Sequence, residues 1–201
     1  MTAGSFAGDL RITGTAEVDD LVNSNPLALM IGMLLDQQIS IELAFTGPSR
    51  LVTRIDGPLD AATLAAMPVD DLVAVFAEKP ALHRFPASMA KRVHALATHL
   101  TEHHEGDPTT IWGDAADGKQ LARSLKALPG FGPEKTKIFV AVLAKRFGVR
   151  PDGWEAAAGG FAVDDGVPRS VADVTDPSVL AAIREHRAAQ KAAKGSVDKE
   201  R

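Results

Sequence analysis

The run Leu128 to Lys135, LPGFGPEK, leads straight into the apolar stretch TKIFVAVLAKRF and constrains this chain more than any other segment. Gly130 and Gly132 permit backbone angles that other residues resist, so a tight turn is expected there. Pro133 stands where a following helix should begin, a position that suits its fixed φ and its missing N–H. The sequence therefore predicts a helical hairpin over about 118–147, with a first helix from Gly118 to Ala127 and a second from Pro133 to Phe147. The bare N–H groups of such a turn, together with the N-terminus of the second helix, form a site for an anion. An ordinary turn between two helices satisfies the same glycines.

Charge sharpens this reading. Between Lys119 and Arg150 the chain carries eight basic residues against one acid, Glu134, a net +7, whereas the remainder, with 14 basic and 25 acidic residues, carries −11. A protein of net charge −4 thus gathers its positive charge around one hairpin, as an acidic body presenting one patch to a polyanion would. A lysine-rich solvated helix face is the bland alternative.

At 201 residues and 45% hydrophobic content the chain can bury one substantial core or two small lobes sharing a cleft. It contains no cysteine, which excludes disulfides, thiolate nucleophiles, cysteine zinc sites and iron–sulfur clusters. The segment MTAGSFAGDLRITG lacks a basic stretch followed by an apolar run, and no stretch approaches the roughly 18 apolar residues of a membrane span. The expectation is a cytoplasmic protein with no membrane partner.

The remaining pattern predicts helices throughout, apart from an extended piece at Asp9 to Thr13. Asn25 is a fair N-cap with Pro26 at the first helical position, and LALMIGMLLDQ behind it is apolar nearly all round, as in a buried central helix. A helix is expected from Ser40 to Phe45, broken by Gly47 and Pro48, with a further helical stretch to Ile55. Asp60 to Met67 and Val69 to Glu78 predict short helices, and Ser88 to about His103 a long one. A short helix is expected around Asp152 to Ala158 and a last one from Pro177 to about Lys191, before a frayed tail at 194–201. The expected architecture is all-α, two helical lobes within a single domain over 1–201.

Three segments in order, NPLALMIGMLLDQQIS (Asn25 to Ser40), FPASMAKRVHALATHL (Phe85 to Leu100) and LPGFGPEKTKIFVAVL (Leu128 to Leu143), resemble landmarks of the helix-hairpin-helix (HhH-GPD) base-excision DNA glycosylase superfamily. DQQIS is similar to the segment before the lesion-probing loop in the 3-methyladenine DNA glycosylase branch. The whole pattern resembles an actinobacterial-type group of short members without an iron–sulfur cluster. In that superfamily an essential aspartate lies 18 residues after the position of the Schiff-base lysine of bifunctional members; here that position is Glu134, and the residue 18 further on is Asp152.

The resemblance implies a two-lobed HhH-GPD fold and Asp152 as the catalytic carboxylate. N-glycosidic cleavage builds oxocarbenium character on the deoxyribose, which an anion stabilises, and a carboxylate orients the attacking water. Asp152 between Pro151 and Gly153 is also an ordinary turn residue. The surroundings depart from the family, whose better-known members carry valine before the aspartate and histidine two residues after it; Arg150-Pro151 and Trp154 stand here instead. Glu134 cannot form a Schiff base, so the resemblance implies a monofunctional hydrolytic enzyme. Lys135, one residue on, keeps open a bifunctional glycosylase and lyase, although one helical step turns its side chain about 100° away.

Further roles carried over are backbone binding by Gly130, Gly132, Lys135 and Lys137, insertion of Gln38 into the gap left by an extruded base, and a base pocket drawn from Trp154, Asp36 and Gln37. Trp112 and Trp154 are the candidate stacking rings, each equally a core residue. No cofactor is expected beyond a monovalent cation that can bridge the hairpin carbonyls and a phosphate. His99 and His103 stand at metal-ligand spacing on one helix, without the carboxylate of a hydrolytic metal site, and read as a solvated face. The implied partner is duplex DNA bearing an alkylated or deaminated base, met by a monomeric, nucleoid-associated protein in base excision repair; a non-catalytic DNA-binding protein on the same scaffold is the rival.

Overall fold

A computed structural model describes residues 6–197 of the chain, with side chains as far as residue 189. Among these residues it holds eleven α-helices and no β-strand. The segment expected to be extended, Asp9 to Thr13, pairs with no other strand. It is laid along the first helix, α1 (Ala16–Ser24), whose buried polar side chains complete its backbone: Asn23 accepts from Leu10 N at 2.9 Å and donates to Leu10 O at 2.9 Å. Asp19 accepts from Ile12 N at 3.2 Å and Thr13 N at 2.9 Å, and Leu10 and Ile12 thereby enter the core.

Asn25 ends α1 and starts α2 (Pro26–Leu35), its side chain accepting from Ala28 N at 2.9 Å. Every residue of α2 after Pro26 is buried, as its all-round apolar sequence requires. The expected break in the next helix does not occur. Ser40 caps a single α3 (Ile41–Val52) that carries Gly47 and Pro48 in its interior. Close packing on α2 overrides the breakers: a Cβ at Gly47 would lie 2.5 Å from Leu35 Cδ1, so the glycine is where the two helices touch.

Asp60 caps α4 (Ala61–Ala66) and Pro68 precedes α5 (Val69–Ala77); both pack on the long α6 (Pro86–His103), which begins at Pro86, two residues before the expected Ser88. A short α7 (Thr110–Gly113) puts Trp112 against Phe6 and Phe139 at ring distances of 5.7 and 6.2 Å. Then come α8 (Gly118–Ala127), α9 (Pro133–Arg146) and α10 (Trp154–Ala158), the last packed across both partners of the hairpin.

The last helix, α11 (Val179–Val197), continues past the expected end at Lys191, because alanine and lysine favour the helix and one glycine costs only about 1 kcal/mol. Of the expected frayed tail, residues 194–197 are helical and 198–201 lie outside the described residues. Leu180 and Ile183 tie α11 to the same buried apolar cluster that begins at Leu10. No helix among the described residues is long and apolar enough to cross a membrane.

Candidate nucleic-acid interface

The hairpin turn follows from its residues. Phe131 N donates to Leu128 O at 3.1 Å, closing a four-residue turn with Pro129 second and Gly130 third at φ 84°, the arrangement of a type II turn. A Cβ at Gly130 would stand 2.3 Å from Leu34 Cδ1, so the turn rests directly on α2. Phe131 is buried and meets Phe139 at 5.7 Å, which locks the turn into the core. Gly132 is exposed, and a Cβ there would meet nothing within 4 Å. No side chain caps the N-terminus of α9, and Pro133 removes one of its donors, leaving the N–H groups of its first turn without a capping side chain. Lys137 is exposed beside this end of the helix.

Lys135 stands elsewhere. Its ammonium donates to Met33 O and to Asp36 O, the latter at 3.3 Å, and so closes the C-terminal end of α2. Burial lowers its pKa to about 8, against the pull of the Asp36 carboxylate, which raises it. Two of its three N–H groups are thereby spent on carbonyls at the end of α2, so the placement lends no support to the phosphate-anchoring role expected of Lys135.

The turn after α2 is a dense polar junction. The Asp36 carboxylate, its side chain only 6% exposed, accepts both nitrogens of Arg187 from α11 at 2.9 and 3.2 Å. Gln37 Nε2 donates to Leu34 O at 2.6 Å, and its Oε1 accepts from Arg92 of α6 at 2.8 Å. Gln37 O meets His83 Nε2 at 2.9 Å, and burial lowers the pKa of that imidazole. The polar atoms of Asp36 and Gln37 are thus engaged within the protein rather than turned toward a base. Gln38 differs: it is exposed, with φ 57°, a conformation a non-glycine residue adopts only at a cost.

Asp152 lies where α9 returns toward α8. Its carbonyl accepts from Gly118 N at 2.8 Å, and Gly153, at φ 74°, turns the chain into α10. The carboxylate is exposed, and among the described residues it makes no hydrogen bond or ion pair. Trp154 is half-buried against the core. No hydrogen bond or ion pair joins Asp152 or Trp154 to the Asp36 junction, so the expected base pocket of Trp154, Asp36 and Gln37 is not assembled by such contacts. Set against protein-family models, curated proteins and solved structures, the chain has no match.

Three residues of the junction, His83, Arg92 and Arg187, escape sequence reasoning. They come from three separate elements and carry no spacing signal that would link them to Asp36. Around the hairpin, by contrast, Lys119, Arg123 and Lys126 recur on α8 at helical spacing, and all three are exposed. The histidines do cluster, His99 lying 4.5 Å from His103 and 5.8 Å from His104 by ring centroid, but only His103 is exposed, so the face is partly buried rather than solvated. Burial, then mutual repulsion, lowers the pKa of His99. No group of three or more His, Asp or Glu side chains among the described residues could hold a metal ion.

Proposed function

We propose that this protein is a monofunctional DNA glycosylase of the helix-hairpin-helix type, hydrolysing the N-glycosidic bond of a damaged base in duplex DNA. The observation that carries the reading is the hairpin: an exposed, unencumbered Gly132 and an uncapped α9 N-terminus, within a stretch of net +7. There the N–H groups of the turn would receive a backbone phosphate, with Lys137 as the neighbouring charge. The resemblance implies a monovalent cation at this turn; the turn's backbone carbonyls would hold it, and it would offset part of the phosphate charge. Gln38, exposed and strained at the end of α2, would enter the duplex where a base is extruded.

Asp152 would stabilise the oxocarbenium-like sugar and align water on its C1′. Its exposed carboxylate, at the expected distance in sequence from the hairpin, supports this role. With Glu134 at the lysine position and the Lys135 amine held by α2 carbonyls, the reading is hydrolysis without strand cleavage. One observation favours a second reading, a DNA-binding protein without chemistry: Arg187 and Arg92 already occupy the polar atoms of Asp36 and Gln37.

The deciding experiment measures base release from duplexes bearing alkylated purines, hypoxanthine, uracil or thymine opposite guanine, under single-turnover conditions. Abasic sites formed on one lesion by the wild type and lost in Asp152→Asn are expected, with strand breaks only after alkali. Release that survives in Asp152→Asn refutes the catalytic assignment, and silence on every lesion with salt-sensitive DNA binding retained favours the second reading.

A further inference from the structure

On the outer side of the hairpin, α8, α9 and α10 enclose a groove of about 450 Å³. Ala122, Pro133, Ala156 and Ala157 give it an apolar floor, and Lys119, Arg123, Lys126 and Lys137 stand around it. All four cations are exposed, and none makes an ion pair or hydrogen bond among the described residues. Glu134 and Glu155 lie on the same helices but do not line the groove.

A second observation is independent of this charge. Thr136, which also lines the groove, is 4% exposed, and its Oγ1 is the one buried side-chain polar atom among the described residues without a hydrogen-bond partner. Thr46, Thr98 and Thr101 return their hydroxyls to the carbonyl four residues back, at 2.7, 3.0 and 3.0 Å, whereas Thr136 does not. A buried hydroxyl left without a partner is costly and calls for an explanation.

We infer that this groove is a binding site for a nucleotide unit, a flat ring on the apolar floor with its phosphate among the four cations and a polar ring atom on Thr136 Oγ1. The volume is that of a small-ligand site. Four unneutralised cations favour a group of charge about −2 over a single carboxylate, and Arg123 offers the planar fork that phosphate oxygens accept. The nucleotide can be a free monophosphate or one residue of a single strand. The inference shares Lys137 with the glycosylase reading but does not rest on it, since a free monophosphate titrated in the absence of duplex DNA reads this groove whether or not Asp152 acts on DNA.

Deoxyadenosine monophosphate, inorganic phosphate and a 5′-phosphorylated single-stranded hexamer, each titrated into the full chain with amide shifts followed by NMR, test it. Expected is saturable binding of the monophosphate with shifts at Ala122, Lys137 and Ala157. It should weaken about three- to tenfold in Thr136→Val and at least about tenfold in Arg123→Glu/Lys137→Glu. A hexamer that binds much tighter than the monophosphate, and is lost in the same variants, identifies the strand as the source; equal or weaker binding identifies the free nucleotide. Phosphate binding as tightly as the monophosphate, affinity unchanged in the charge-reversal variant, or no saturable binding of any probe overturns the inference. Because the four side chains are exposed and Thr136→Val preserves shape, a melting temperature within about 2 °C of wild type is expected for each variant and separates lost binding from lost folding.

Discussion

Gly130→Ala is expected to cost about 2–5 kcal/mol, and the two parts of that cost can be separated. Gly130 sits at φ 84°, where an L-residue pays about 1–2 kcal/mol. Its new Cβ would stand 2.3 Å from Cδ1 of Leu34, a fully buried side chain of α2, and such overpacking typically costs about 1–3 kcal/mol. For a chain of this length the sum lowers Tm by roughly 5–15 °C. Urea unfolding followed by tryptophan fluorescence, with Trp112 in the core as reporter, gives the free energy directly. Truncating Leu34 to alanine removes the clash but not the backbone penalty. In that background, itself destabilised by about 2–5 kcal/mol, Gly130→Ala should cost only about 1–2 kcal/mol. A coupling of about 1–3 kcal/mol between the two sites is therefore expected. Equal costs in both backgrounds would show that the hairpin does not rest on Leu34, and a cost near zero in the wild type would refute the left-handed turn.

The partly buried Lys135 binds its proton less well folded than unfolded, so stability should rise with pH from about 8 to the amine's ordinary value of 10.5, by at most about 3 kcal/mol. Lys135→Met should flatten that rise in denaturation curves taken across the window, and an unchanged slope sinks the assignment. Arg187→Gln should destabilise by about 2–3 kcal/mol by leaving the Asp36 carboxylate without its partner, and Asp36→Asn should recover most of the loss in the double variant. Asn23→Ala leaves both Leu10 N and Leu10 O without their partners and should cost about 2–4 kcal/mol in urea unfolding; a cost below about 1 kcal/mol would mean that water replaces the side chain. Asp152→Asn should change stability by no more than about 0.5 kcal/mol, so any loss of base release it causes reports on chemistry rather than folding.

What could be read in advance was what local chemistry determines. Asn25-Pro26, Asp60 and the proline at 133 name their helix starts because caps and proline act within one turn, and the structure starts helices at all three. The hairpin glycines were legible for the same reason. Gly47 and Pro48 misled because their effect depends on what faces them: the missing Cβ that weakens an isolated helix is what admits Leu35 here. Asp9 to Thr13 has the look of a strand, but its partners are side chains of α1 rather than another backbone.

The site divides along the same line. Gly132 and Asp152 are exposed, and their expected roles rest on backbone shape and on distance along the chain, both of which a sequence carries. Lys135 belongs to the other kind. Its neighbour Glu134 faces solvent, and one step of about 100° along α9 carries the amine into the end of α2. There it meets a helix with unmet carbonyls, where Asp36 and Gln37 form the turn and His83, Arg92 and Arg187 arrive from three further segments to complete it. The α2 end therefore couples the hairpin, α6 and α11. A ligand that drew Lys135 or Arg187 toward a phosphate would have to break that junction, and binding there would register as a change in the stability of α2 as well as in affinity.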